Sequence, residues 1–158
     1  MFNKEVPHES APPDASYGAR YGFGSTVGLR YEQAIERTRA SLKGEGFGVL
    51  TEIDVRRTMH EKLGAEFRPY VILGACNPPL AHRALSEDLG IGLLLPCNVV
   101  VYDNGDGTST VEAMDPEAAL ALVGDNTAIA EVAHEARARL GRAIDAVARR
   151  DSAWRTHS

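Results

Sequence analysis

Residues 91–114 read IGLLLPCNVVVYDNGDGTSTVEAM, and this stretch decides the fold class. An apolar run over 91–102 meets Asp103-Asn104-Gly105-Asp106-Gly107, and a second strand-like run follows over 109–114. Consecutive Asn, Asp and Gly supply the positive φ angles of a tight hairpin turn. Two runs joined this closely pair antiparallel, because parallel strands need a long crossover. Gly92 and Pro96 interrupt the first run. Proline cannot donate to a ladder, so Pro96 marks an edge, a bulge or the true start of the strand. Cys97 is in step with Leu93, Leu95, Val99 and Val101, which places it on the core face.

Working back from the hairpin, residues 68–76 (RPYVILGAC) are apolar on both faces and suit a central strand. Asn77-Pro78 then starts a helix over 78–88, closed by Gly90. Residues 47–53 form another strand, with Val49, Thr51 and Ile53 facing one way and Leu50 and Glu52 the other. Between these two strands Asp54 caps a short helix over 55–63, ended by Gly64. Residues 25–30 suit the first strand, and Tyr31, Ile35, Thr38 and Leu42 line one face of a helix over 31–43, capped by Gly44. Beyond the hairpin, Asp115-Pro116 repeats the cap-then-proline signal for a short helix to Val123. The last helix runs from about 127 to 149 on a stripe of Ile129, Val132, Ala136, Leu140, Ala143, Ile144 and Val147. The expected fold is therefore α+β: a mixed or antiparallel sheet of about five strands, helices packed on it, and a long C-terminal helix. One domain over 24–151 is expected, between an N-terminal tail over 1–23 and a C-terminal tail over 152–158.

Charge and composition narrow the function classes. The 158 residues carry a formal net charge of −5, are 44% hydrophobic and only 6% aromatic. Nine basic face fourteen acidic residues over 24–124, whereas 125–151 balances five against five, so no basic groove stands out. This argues against nucleic acid as a partner. No apolar run approaches the roughly 18 residues of a membrane span, and the N-terminus lacks the apolar core of a secretory signal. Two cysteines make no disulfide scaffold, and the expected location is the cytoplasm, with both thiols reduced.

Chemistry centres on Cys76. It ends a strand just before a capped helix, where backbone N–H groups favour thiolate. His82, one turn into that helix, points back toward the helix start and comes within reach of the thiol. Cys76, Cys97 and His82 form a candidate soft-metal set, though twenty intervening residues between the thiols match no standard zinc spacing. Each cysteine also reads as a small buried hydrophobe. Both stand in a Cys-Asn pair, Cys76-Asn77 and Cys97-Asn98, so Asn77 and Asn98 join the candidate set. Glu52 reads as a solvated acid or as a pocket carboxylate that serves as base or ligand. The glycines at 22 and 24 and at 44, 46 and 48 do not open a helix after a strand, as a dinucleotide site requires. The 103–108 stretch is a turn and not a calcium loop, because Gly105 stands at a ligand position.

The stretches Gly46–Val55, Phe67–Tyr70, Ile72–Pro78, Ile91–Val101 and Met114-Asp115-Pro116 together resemble the domain-of-unknown-function 302 family, over roughly residues 25–148. The resemblance implies a small bacterial or archaeal α+β domain that associates as a homodimer, and it carries no reaction or cofactor with it. It marks Glu52, Cys76, Asn77, Pro78, Cys97 and Asn98 as positions matching the family pattern. Two functions of different class follow as expectations. One is a module that binds a small molecule, a soft metal or a redox partner through a thiol at a helix N-terminus. The other is a non-enzymatic homo-oligomeric adaptor with both cysteines in its core. An enzyme using Glu52 as general base is a third.

Overall fold

The computed structural model describes residues 21–155. The chain enters β1 (Gly22–Val27), then α1 (Tyr31–Gly44), β2 (Gly48–Asp54), α2 (Val55–Leu63), β3 (Tyr70–Cys76) and α3 (Pro78–Glu87). A 3-10 segment, Leu89–Leu94, leads into β4 (Cys97–Asp103) and β5 (Ser109–Met114). Then come α4 (Pro116–Leu120), a 3-10 turn over Ala121–Val123, and α5 (Thr127–Arg155). Most of the expected tail over 1–23 and the last residues of 152–158 lie outside the described residues; β1 itself begins at Gly22.

All strand pairs are antiparallel, in the order β1-β5-β4-β3-β2. The expected α+β sheet of five strands is what forms, and β3 lies inside it, between β2 and β4. The hairpin turn is held by Asp103, whose Oδ1 accepts from Gly105 N at 2.8 Å, and by Asp106, whose Oδ1 accepts from Thr108 N at 3.0 Å. Local chemistry also starts the helices as expected. Asp54, Asn77 and Asp115 each accept a backbone N–H of the following turn, and Pro78 and Pro116 stand where no N–H partner is needed.

Two apolar clusters make the interior. The larger one packs α1 and the distal part of α5 against one sheet face: Leu42, Leu140, Ile144 and Val147 meet Val71, Leu73, Val99, Val101 and Val111. The smaller one joins the first turns of α5 to α3, α4 and the first 3-10 segment through Leu80, Ala84, Ile91, Leu120, Ile129, Val132 and Ala136. Each fully buried Leu, Ile or Val contributes about 1.5–3 kcal/mol. A single helix therefore serves two cores, and their seam falls off the end of the sheet where β3 and β5 stop and β4 starts.

Three local expectations are corrected. Residues 91–96 are not strand: Pro96 is the start signal, and β4 begins at Cys97. Upstream, Asp88 Oδ1 accepts from Gly90 N at 2.8 Å and tightens the chain into a 3-10 turn. Leu93 consequently does not share the core face with Cys97; it is 91% exposed, while Ile91 is buried in the smaller cluster. A register shift between Val49 and Thr51 moves Val49 to the opposite face from Thr51 and Ile53. Val49 pairs with Ala75 and Glu52 with Leu73, so both lie on the helix-covered face. Finally, α1 runs through Gly44, and the positive φ falls instead on Gly46 at 84°.

Candidate functional site

The seam between the two cores is not filled. A cavity of about 480 Å³, counting its mouth open to solvent, is bordered by the strand termini Ala75, Cys76, Cys97 and Met114 and by Pro96. Leu80, Ala81 and Ala84 of α3, Leu120 of α4, and Val132 and Ala136 of α5 form the opposite wall. Phe47, Leu94, Leu95, Pro116 and Asn77 complete the lining. Apart from Asn77 the lining is apolar or sulfur-bearing, and it includes no charged side chain and no imidazole.

Both cysteines reach this cavity, by different routes. Cys97 pairs with Ala75 across the ladder and shares the helix-covered face with Val99. Pleat alternation turns Cys76, the next residue along β3, to the other face. The cavity lies across the strand ends, so both residues border it. They are free thiols, Cys76 half-buried and Cys97 buried. Burial pushes the Cys76 thiol above its ordinary value. Cys97 is pushed up to about 11, by burial first and by the neighbouring Cys76 second. The expected thiolate at the helix start therefore does not form at neutral pH. Loss of water around the sulfur favours the protonated thiol.

Asn77 fixes the geometry at that point. It is 8% exposed, and its Oδ1 accepts from Leu80 N at 3.3 Å. Its Nδ2 lies 3.0 Å from where a Cβ on Gly46 would stand, so a side chain at 46 would displace the cap as well as strain a positive φ. Arg139 of α5 donates through Nη1 to Glu45 O at 3.3 Å and so holds the same loop from the helix side.

The other expected residues are elsewhere. His82 is exposed and does not border the cavity; its carbonyl accepts from Ser86 Oγ at 2.7 Å. The set Cys76, Cys97 and His82 is thus not assembled, and among the described residues no group of three His, Cys, Asp or Glu side chains is placed to hold a metal. Asn98 is exposed on the opposite sheet face, paired with Gly74. Glu52 forms an ion pair with Arg39 of α1 at the sheet edge, outside the lining. Met114 is a lining residue that sequence reasoning missed. A signal for it exists: Met114-Asp115-Pro116 repeats Cys76-Asn77-Pro78, a sulfur residue ending a strand, then a cap, then proline.

Fold and site define a class: a five-stranded antiparallel α+β domain whose capped strand ends surround an apolar, sulfur-bearing cavity. The model of the family described as "Domain of unknown function DUF302" matches residues 23–147, and the chain belongs to that family. Its fold is similar to that of the crystal structure of an uncharacterized conserved protein DUF302 from Bacillus stearothermophilus, with a TM-score of 0.74 and 37% identity. The likeness covers 82% of this chain and 99% of that one. No curated protein matches the chain. The family resemblance read from the five stretches over roughly 25–148 is thus confirmed, and all of them, the two Cys-Asn stretches included, lie inside the matched span. Among the described residues no helix is long and apolar enough to cross a membrane.

Proposed function

We propose that the protein is a binding module for a compact, apolar or soft ligand that occupies the cavity at the seam of its two cores. The observation that supports this most is the lining itself. Empty apolar space inside a protein costs stability, because wall atoms lose their packing partners. The cavity opens to solvent and its walls converge from β3, β4, β5, α3, α4 and α5, so an apolar group entering it would be covered on several sides. Leu89, Leu93 and Leu122 are 79% exposed or more, and they sit on the two 3-10 segments that adjoin the lining residues Leu94 and Leu120. Such exposure is costly unless an apolar ligand passes or stays there.

The test is fluorescence titration with the uncharged dye Nile red. Wild-type protein is expected to bind one equivalent. Ala136→Leu, which fills the cavity from α5, is expected to lose that binding and to gain on the order of 1 kcal/mol in stability. Equal dye binding by wild type and Ala136→Leu would place the dye elsewhere and sink this reading.

A second reading has its own support. β2 is an edge strand with Leu50 68% and Ile53 48% exposed, and Leu63 and Phe67 are exposed on the segment that follows it. An apolar sheet edge is a site for pairing with another chain, and a second copy of this protein is the simplest partner. The two readings are compatible, since these exposed residues take no part in the cavity lining.

A further inference from the structure

We propose that the two 3-10 segments form a docking surface for a basic amphipathic helix of a partner protein. Leu89 and Leu93, on the segment Leu89–Leu94, are 87% and 91% exposed, and Leu122, on Ala121–Val123, is 79% exposed. Inward-facing neighbours tie both segments to one core: Ile91 and Leu94 from the first and Val123 from the second pack in the smaller cluster. The three outward leucines take no part in the cavity lining, so a ligand held inside leaves them exposed. Cover for them comes from outside the chain, whether or not the cavity is filled.

Charge gives the partner's chemistry. From residue 84 to residue 136 the chain has ten acidic residues and neither lysine nor arginine. Around the smaller cluster, Asp115 pairs with Arg137, Glu131 and Glu135 pair with Arg83, and Glu117 pairs with His134. Glu87, Asp88 and Asp125 are exposed and, among the described residues, stand in no ion pair. These three flank the leucines: Glu87 and Asp88 directly precede Leu89, and Asp125 follows closely on Leu122. Exposed leucines edged by unpaired carboxylates fit a helix that carries apolar side chains along one face and Lys or Arg beside them. The same carboxylates repel an anionic bilayer.

The experiment is calorimetric titration of full-length protein with a designed helical peptide that carries leucine on one face and lysine on the other. One equivalent is expected to bind, and more weakly at high salt. Leu89→Ser/Leu93→Ser should weaken binding about 10-fold or more. Glu87→Gln/Asp88→Asn/Asp125→Asn should weaken it about 10-fold as well and remove most of the salt dependence. Asn at 88 keeps a side-chain oxygen to accept from Gly90 N. Asp103→Asn/Asp106→Asn takes charge from the hairpin, at the other end of β4, and should leave binding unchanged. Ala136→Leu, which fills the cavity, should bind the peptide as wild type does. No binding by wild type, or equal binding of a leucine–glutamate peptide of the same pattern, would overturn the surface. So would an equal loss in the hairpin variant, which would reduce the effect to general attraction between an acidic protein and a basic peptide. Binding to phosphatidylcholine vesicles, without peptide binding and abolished by Leu89→Ser/Leu93→Ser, would assign the leucines to a bilayer instead. If the serine variant does not fold, the amide variants, which change no apolar side chain, decide.

Discussion

At the scale of residues, burial governs the chemistry of the two thiols. Cys97 keeps its proton in the folded protein up to about 11, against 9.0 in its ordinary state, chiefly because it is buried. The sign follows from proton binding. Below the ordinary thiol value both folded and unfolded states are protonated, and the stability is fully present. As pH rises from 9.0 toward about 11 the unfolded chain loses the proton first, and stability falls. A rise of that size corresponds to roughly 2–3 kcal/mol. Urea unfolding of wild type and Cys97→Ala across that window should show a steeper loss in wild type; parallel curves would mean that the thiol titrates in the folded protein as it does in the unfolded one. The capping roles of Asn77, Asp54 and Asp115 were legible in the sequence because a cap is decided within one turn. The state of Cys76 was not, because it depends on water excluded by residues distant in the chain: Phe47, Leu94 and Met114 all border the same space.

At the scale of elements, the register shift in β2 is the feature sequence alternation could not show. Strict alternation puts Val49 with Thr51 and Ile53; the extra residue at the shift moves Val49 to join Glu52 on the helix-covered face. The cause lies partly in the partner strand. Thr51 stands opposite Gly74, and a Cβ on Gly74 would run into Thr51 Oγ1 and lie 2.9 Å from Pro96 Cγ. Gly74 therefore lets β2 and the chain entering β4 close over β3 together. Gly74→Ala is expected to destabilise the protein by about 1–3 kcal/mol, the range for overpacking a tight site. Thr51→Ala in the same chain should restore part of that loss, because it removes the nearer of the two obstructing side chains. Thermal unfolding of the single and double variants checks this; additive losses would show that Thr51 and Gly74 are not coupled. The 3-10 segment before β4 escaped periodicity for a related reason. Leu89, Gly90, Ile91, Gly92, Leu93 and Leu94 look strand-like by hydrophobicity, but the Asp88 side chain, outside the run, accepts from Gly90 N, and backbone bonds from Ile91 N to Asp88 O and from Leu95 N to Gly92 O close the turns.

At the scale of the whole molecule, α5 couples two clusters, and the sheet has two unlike edges. The helix stripe was readable along its length, yet nothing in it says that Ile129 and Val132 serve one cluster while Leu140 and Val147 serve the other. Strand order was unreadable for the same reason: β1 pairs with β5 across most of the chain, a choice set by three-dimensional packing. The consequence for assembly concerns β2. Its sequence, GVLTEID, carries no proline or lysine to guard the free edge, and Leu50 and Ile53 are exposed along it. Arg39 engages Glu52 from α1, which leaves the strand with apolar side chains toward solvent. Two copies joined at this edge would extend the sheet and cover Leu50 and Ile53 by a symmetric contact. Light scattering on the eluting protein should therefore give twice the chain mass of 17.0 kDa for wild type. Leu50→Lys combined with Ile53→Lys should give a monomer with an unchanged far-ultraviolet spectrum, because neither side chain belongs to either buried cluster. A monomeric wild type, or a dimer that survives both lysines, would move self-association away from this edge and leave the cavity as the feature that distinguishes the domain.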